Sequence, residues 1–281
     1  MQYADLHIHS CYSDGNVSPE GILEIAKNNN VKCISITDHD NISAQKILQS
    51  SCNSSDIEVI SGVELSTEYE DYEVHILGYF IDINNLPLNR LLDHIKEVRM
   101  NRTFEILSKL QKMGVDINVN DLEMNNNFQS IGRAHIAKIL VDKGYASSFK
   151  GAFHNYLAKD KSAYVDRFKV SYKDVLKIIK DCGGISVLAH PGKTYKSIFI
   201  DKLIKDLKVY GLMGIEVFHP SHNINQVSQF YNLAKKYNLA ITGGSDFHCL
   251  NSNNNINIGS CGLNQDLLNK FIKYNKLGEI K

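Results

Sequence analysis

The chain has 281 residues, 43% of them hydrophobic, and its 31 Lys+Arg balance 31 Asp+Glu for a formal net charge of zero. That is enough apolar material for one large α/β core, with or without a small insertion; it excludes a disordered chain and indiscriminate coating of nucleic acid. No window is apolar enough to span a bilayer and no leader-like segment opens the chain, so a cytoplasmic protein is expected, with Cys11, Cys33, Cys52, Cys182, Cys249 and Cys261 as reduced thiols.

In chain order, short apolar strands alternate with amphipathic helices. Residues 3–8 read as a strand. Ser18-Pro19-Glu20 opens a helix with an N-cap, a first-turn proline and an early acid, and Ile22, Ile25 and Ala26 form its inner stripe. A buried strand is expected at 32–36, a helix from about 43, a strand over 57–63 and another over 73–80. The same rhythm returns later: helix 171–181, strand 185–189, helix 198–209, strand 215–218, helix 224–237 and strand 239–242. Alternation of this kind implies parallel βαβ units.

The segment 86–165 interrupts the rhythm. Leu88, Leu91, Leu92, Ile95 and Val98, then Phe104, Leu107 and Leu110, mark a long amphipathic helix that Gly114 can close. A second helix opens at Gly132-Arg133 and runs to Lys143-Gly144, with no convincing strand between them. This reads as a helical insertion, 86–165, in a barrel made by 1–85 and 166–281. Between Arg90 and Val170 there are 14 Lys+Arg against 9 Asp+Glu, leaving 17 against 22 elsewhere, and all five arginines (Arg90, Arg99, Arg102, Arg133, Arg167) fall inside. An acidic remainder suits a cation site, and a basic region suits an anionic substrate. Asparagine runs at 28–30, 125–127 and 253–255 read as loops.

Chemistry concentrates at the strand ends. On a strand, His7 and His9 share a face, a chelating arrangement that by itself is as readily two ordinary histidines. Asp14 follows in the loop after them. Thr37-Asp38-His39-Asp40 ends the second strand, Gly62-Val63-Glu64 the third, and His75 lies within the fourth. Ala189-His190-Pro191-Gly192 and Phe218-His219-Pro220 end later strands, and Gly243-Gly244-Ser245-Asp246-Phe247-His248 follows the last. In a parallel barrel those ends form one face, where such folds carry their chemistry. Singly, Glu64 could be a surface ion pair, His75 a core histidine and Asp246 a helix cap. Together they would leave unpaired or repelling charge unless cations sat among them, and the ligand types suit Mn²⁺, Zn²⁺ or Fe²⁺.

In the ordered set D-L-H-I-H-S, I-T-D-H-D, G-V-E, H-I-L-G-Y, A-H-P-G, E-V-F-H-P and G-S-D-F-H, the chain resembles the PHP (polymerase and histidinol phosphatase) family of metal-dependent phosphoesterases along nearly its whole length. The resemblance implies a distorted (β/α)7 TIM-like barrel of α/β class with two to three divalent metal ions, manganese by preference and zinc or iron otherwise. It implies one metal on His7, His9, Glu64 and Asp246, a second bridged by Glu64 and held by His75 and His190, and a third on Asp14, His39 and His248. Asp14, Glu64, Asp246 and His248 are then the catalytic group.

Around Ile131-Gly132-Arg133-Ala134-His135 the chain resembles the subgroup that carries a helical insertion and hydrolyses 3′,5′-nucleoside bisphosphates or trims short 5′-phosphorylated oligoribonucleotides; that motif usually has proline where Ala134 stands. There Arg133 and His135 from the insertion, and His219 from the barrel, would hold substrate phosphate. The plain alternative for Arg133 is an ion pair at a helix start. The expected activity is metal-assisted hydrolysis of a phosphate monoester, with a small nucleotide or short RNA as substrate and neither a membrane nor a long nucleic acid as partner. Two alternatives stay open: histidinol-phosphate hydrolysis, which gives the basic insertion no role, and a non-catalytic metal-stabilised module.

Overall fold

Strand β1 (Ala4–Ile8) pairs in parallel with β2 (Cys33–Ile36), Ala4 facing Cys33, and β2 with β3 (Glu58–Val59). Helices α1 (Pro19–Asn28) and α2 (Ser43–Ser51) make the connections; the Ser18 hydroxyl caps α1 by accepting the Gly21 N–H, with Pro19 in the first turn. A second sheet runs in the order β4 (Gly62–Tyr69), β5 (Tyr72–Tyr79), β6 (Ile185–Leu188), β7 (Gly214–Phe218) and β8 (Ala240–Gly243). His39, after β2, bridges to Glu64 of β4 on one side, and on the other β1 bridges to Phe247 and Leu263 in the segments after β8, so the strands close into a distorted TIM-like barrel. The structure is a computed structural model describing residues 2–51, 57–123, 132–166, 168, 170–194, 200–250 and 256–278. Cys52, Ile131, Arg167 and the asparagine runs at 125–127 and 253–255 lie outside the described residues, as does the expected helix start at Ile198.

Two expectations change. The strand expected over 57–63 is two strands in different sheets. Ile60 N–H still donates to Ile34 of β2, while the Ser61 hydroxyl already donates to Ile81 O and Ser61 O accepts the Phe80 N–H, so the chain changes sheets between them. The second strand then runs on to Tyr69. Its partner β5 is antiparallel to both neighbours, not one of a parallel series. Glu70 and Asp71 alone separate β4 from β5, with Glu70 in the left-handed region (φ 53), and two residues can join only antiparallel strands. His75 therefore enters on a returning strand, opposite Ser66, rather than from a strand's C-terminal end.

Alternation along β1 positions the chemistry. Ala4, Leu6 and Ile8 pack into apolar clusters with Leu77, Val187 and Phe271 or with Ile22, Ile34 and Phe247. Asp5, His7 and His9 take the opposite face and are equally buried. Helices α7 (Tyr172–Asp181), α8 (Pro191–Thr194), α9 (Ile200–Val209) and α10 (Ile224–Tyr237) connect the later strands, and α11 (Gln265–Gly278), absent from the expected elements, adds Leu268 and Phe271 to the core.

The chain divides into two compact units, residues 1–89 with 169–281, and 90–168. The second contains most of α3 (Leu86–Lys112), then α4 (Val119–Glu123), α5 (Arg133–Asp142) and α6 (Phe149–Ala152), which runs into a π-helical turn, Phe153–Leu157. Gly114 (φ 81) and Gly144 (φ 78) follow α3 and α5 in the left-handed conformation that ends helices. Its core includes Ile106, Leu110, Ile117, Ile136, Leu140 and Leu157. No helix among the described residues is long and apolar enough to cross a membrane, and Cys11, Cys33, Cys182, Cys249 and Cys261 are free thiols.

Candidate metal centre

At the end of β1 the Nε2 atoms of His7 and His9 lie 3.1 Å apart. His7 Nδ1 pairs with Glu216 Oε1 (2.9 Å), which turns Nε2 toward the centre. Glu64, wholly buried on β4, faces both ways. Its Oε1 is 2.9 Å from His75 Nδ1 and 2.9 Å from His190 Nε2. Its Oε2 is 3.0 Å from His39 Nδ1, 3.4 Å from His9 Nε2 and 3.5 Å from His7 Nε2, yet accepts no hydrogen bond.

The loop after β8 supplies the rest. It lies beside β1 at a single parallel bridge, with Asp246 N–H donating to His7 O (2.9 Å) and His9 N–H to Phe247 O (2.8 Å). This sets Asp246 Oδ1 3.3 Å from His9 Nε2 and 3.5 Å from His7 Nε2. Its Oδ2 lies 3.2 Å from His219 Nε2 and 2.5 Å from Lys193 Nζ. His190 (φ 25) and Asp246 (φ 53) both adopt left-handed backbone, which L-residues keep only where surroundings enforce it, and which here turns both side chains into the centre. At the mouth, Asp14 is exposed, 3.3 Å from His248 Nε2 and 3.8 Å from His39 Nε2.

All nine residues expected as ligands thus converge, in overlapping groups whose ligand atoms lie within 4.8 Å of one another: His9, Asp14, His39 and His248; His7, His9 and Asp246; His7, Glu64 and His190; His39, Glu64 and His75. His219 lies beside this set, its Nδ1 accepting the Ser221 N–H at 3.1 Å. Arg133 and His135 belong to the second unit. There Arg133 Nη1 donates to Leu157 O (3.4 Å) with the guanidinium 5.7 Å from the Phe153 ring centre, and His135 Nδ1 accepts the Gly132 N–H (3.1 Å) as part of the α5 cap.

The electrostatics are those of a site built for positive charge. Burial would raise the Glu64 carboxyl, but His39, His75 and His7 hold it well below the usual carboxylate range. Asp246 is held low against burial by His7, His219 and His9, and Asp14 by His39 and His248. Burial pushes His39 and His190 down to about 4. His75 and His248 go the other way: burial is outweighed by Glu64 for the first and Asp14 for the second, lifting them to about 10 and about 9. His7 is also raised well above its ordinary value, burial being outweighed by Glu216, Glu64 and Asp246. Glu64 Oε2 accepts no hydrogen bond among the imidazoles around it, and divalent cations in place of their protons would satisfy that donor set.

Three supporting carboxylates escaped the sequence reading. Glu216 is buried on β7; besides His7 it takes the His190 N–H on Oε2 (2.7 Å), and burial notwithstanding His7 holds it down to about 2. The signal was an acid inside the apolar run Ile215–Phe218, which a doubly covered strand cannot bury without a partner. Asp38 accepts Ser10 N–H (2.7 Å), Ser10 Oγ–H (2.6 Å) and Ser13 Oγ–H (2.5 Å), fixing the loop between His9 and Asp14. Asp5 accepts Ser245 N–H (2.9 Å) and Gly259 N–H (2.8 Å), tying β1 to the Asp246 loop.

Among known proteins, the chain is 34% identical over 245 residues to a 5′-3′ exoribonuclease of Haemophilus influenzae, covering 87% of this chain and 89% of that one. It is 32% identical over 251 residues to a 3′,5′-nucleoside bisphosphate phosphatase of Chromobacterium violaceum, covering 88% of each. A solved structure from Chromobacterium violaceum, described as an amidohydrolase with bound sulfate and no metal, superposes with a TM-score of 0.85 at 28% identity over 97% of this chain and 96% of that one. The family described as PHP domain matches residues 5–185. That match runs through more than half of the sequence and through the strands that carry the first ligand candidates, and the chain belongs to the PHP domain family.

Proposed function

We propose that this metal-dependent phosphoesterase removes the 3′-phosphate of nucleoside 3′,5′-bisphosphates, with two or three divalent cations held by His7, His9, Asp14, His39, Glu64, His75, His190, Asp246 and His248. The observation that carries the reading is Glu64, whose two oxygens face separate sets of imidazoles as a carboxylate shared by two cations must. In the assignment that follows, Glu64, His7, His9 and Asp246 would hold one cation, Glu64, His75 and His190 a second, and Asp14, His39 and His248 a third at the solvent side. The substrate class is supported by the named activities of the two relatives, both matched over most of their length. Short 5′-phosphorylated oligoribonucleotides are the second reading, favoured by the exoribonuclease relative.

Bound cations supply a water of lowered pKa as nucleophile and neutralise charge on the phosphoryl oxygens. The chain orders that chemistry. Glu216 fixes the His7 tautomer, Asp38 fixes the loop that carries Asp14, and Asp5 holds the Asp246 loop against β1. Asp14 and His248, on the exposed side, are assigned to the surroundings of the leaving oxygen. Arg133 and His135 are assigned to substrate phosphate, for which a guanidinium fork is suited.

The test is to strip the protein of metal, reload it with Mn²⁺ and offer adenosine 3′,5′-bisphosphate, a 5′-phosphorylated tetraribonucleotide and histidinol phosphate in parallel. Release of inorganic phosphate and AMP from the first is expected. Preference for histidinol phosphate would replace the substrate assignment, and no turnover of any of the three would leave a metal-stabilised module.

Metal loading should depend on pH in a defined sense. In the metal-free protein His75 and His248 carry protons up to about pH 10 and about pH 9, and ligation requires neutral rings. Binding therefore expels protons throughout the neutral range, and apparent affinity rises with pH until those values are passed. Calorimetry at pH 7 in two buffers of different ionisation enthalpy should show net proton release; equal heats would contradict it.

Glutamine at Glu216 keeps its shape and loses the charge that orients His7. Such outer-shell changes cost metal affinity roughly 10–100-fold. Mn²⁺ titration of metal-depleted Glu216→Gln protein should show this loss, and wild-type affinity would remove Glu216 from the role.

A further inference from the structure

Lys193 reaches the centre without being a ligand candidate. It stands on the short helix α8, three residues after His190, with Nζ on Asp246 Oδ2 at 2.5 Å. Among the described residues no other lysine or arginine pairs with Asp14, Glu64, Glu216 or Asp246. The turn beneath it is clamped. His222 donates Nδ1–H to Val217 O (2.9 Å), its Nε2 accepts the Gly192 N–H (3.1 Å), and a Cβ on Gly192 would lie 2.6 Å from the His222 ring. The backbone is thus fixed, while the side chain stays 48% exposed above a cavity of about 430 Å³ that His219, Ser221, His248 and Cys249 also line. Such a volume holds a nucleotide-sized group.

A divalent cation on Asp246 Oδ1, the oxygen facing His7 and His9, would repel an ammonium held on Oδ2 of the same carboxylate, and the lysine's four-carbon stem lets its charge move while the helix stays. We propose that Lys193 is a phosphoryl-binding residue of the barrel unit: it pairs with Asp246 Oδ2 in the metal-poor protein, and on metal loading turns into the adjacent cavity to hold a phosphate oxygen. This rests on the phosphoesterase reading and adds to it a cation carried on α8, independent of Arg133 in the second unit. It also makes Lys193 a competitor of metal for Asp246, so removing its charge acts oppositely on the two ligands.

The experiment uses Lys193→Met, which keeps the stem and loses the charge, with Lys193→Arg as the conservative partner. Metal-depleted proteins are titrated with Mn²⁺, and Mn²⁺-loaded proteins with inorganic phosphate, by calorimetry. Lys193→Met should bind Mn²⁺ at least as tightly as wild type and phosphate about 10-fold or more weakly, the loss expected for one charge-assisted hydrogen bond; Lys193→Arg should recover most phosphate affinity. Phosphate binding by Lys193→Met within about 2-fold of wild type, against that expected loss, overturns the proposal, while wild-type turnover of the bisphosphate would leave the phosphoesterase reading standing. Loss of Mn²⁺ from Lys193→Met also overturns it, since the ammonium would then merely support Asp246. A loaded wild-type protein that neither binds phosphate nor hydrolyses a phosphate ester defeats both.

Discussion

Glu64→Gln protein is expected to lose turnover and most of its bound metal together. Glutamine has the shape of the carboxylate, so the buried volume on β4 is conserved and the effect isolates charge. The wild-type side chain sets Oε1 against His75 and His190 and Oε2 against His7, His9 and His39. An amide offers one acceptor arm and one donor arm, and the donor arm would meet imidazole lone pairs where a cation belongs. One substitution thus weakens two cation positions, and the loss should exceed the ~10–100-fold typical of an outer-shell change. Elemental analysis after dialysis, turnover of the bisphosphate and circular dichroism read the three consequences separately. A folded, active, metal-free Glu64→Gln protein would overturn the metal-centred reading. Full metal content without turnover would show that the cations do not need a shared carboxylate. Asp246→Ala, which removes a ligand from one position only, should leave more metal bound.

The ligand candidates were legible because they sit in short motifs at strand ends, where the change from apolar run to His or Asp is visible residue by residue. His7, His39, Glu64, His190 and Asp246 could be ordered along the chain before any contact was known. The direction of β5 was not legible. His75 reads the same on a parallel or a returning strand, and only the two-residue link at Glu70-Asp71 decides it, in a segment where the apolar pattern runs through the turn as Tyr69 and Tyr72. The supporting carboxylates were hidden differently. Asp5, Asp38 and Glu216 were quoted within motifs, but their roles depend on partners far along the chain: Ser245 and Gly259 for Asp5, His7 for Glu216. Lys193 follows a recognisable A-H-P-G segment, yet nothing in its spacing says that the turn aims it at Asp246, more than fifty residues on. Helix α11 went unread although Leu268 and Phe271 are buried and Leu267, Ile272 and Tyr274 pack against the same cluster at helical spacing.

Gly244→Ala is expected to destabilise the protein more than any ligand substitution, although Gly244 touches no ligand through a side chain. A Cβ at this position would lie 2.3 Å from the Cβ and 2.4 Å from the backbone N of His7, inside van der Waals contact with a strand that cannot yield locally. The loop is tied on every side: Gly244 N–H to Phe218 O (3.0 Å), Ser245 N–H to Asp5 Oδ1 (2.9 Å), Asp246 N–H to His7 O (2.9 Å). A methyl group must therefore force β1 and the Asp246 loop apart as units, breaking the pairing that brings His7, His9 and Asp246 together. Overpacking costs about 1–3 kcal/mol where side chains can adjust. Here the clash is with the His7 Cβ and the backbone that fixes it, so the cost should reach about 3 kcal/mol or more, a melting temperature lower by roughly 5 °C for a chain of this size. Measured on metal-free protein, thermal unfolding excludes loss of bound cations as the cause. Gly132→Ala provides the control, because that glycine has nothing within 4 Å of its added Cβ and an extended backbone. If Gly244→Ala melts with the wild type, the loop does not lie against β1 as described and the geometry of the metal centre fails with it.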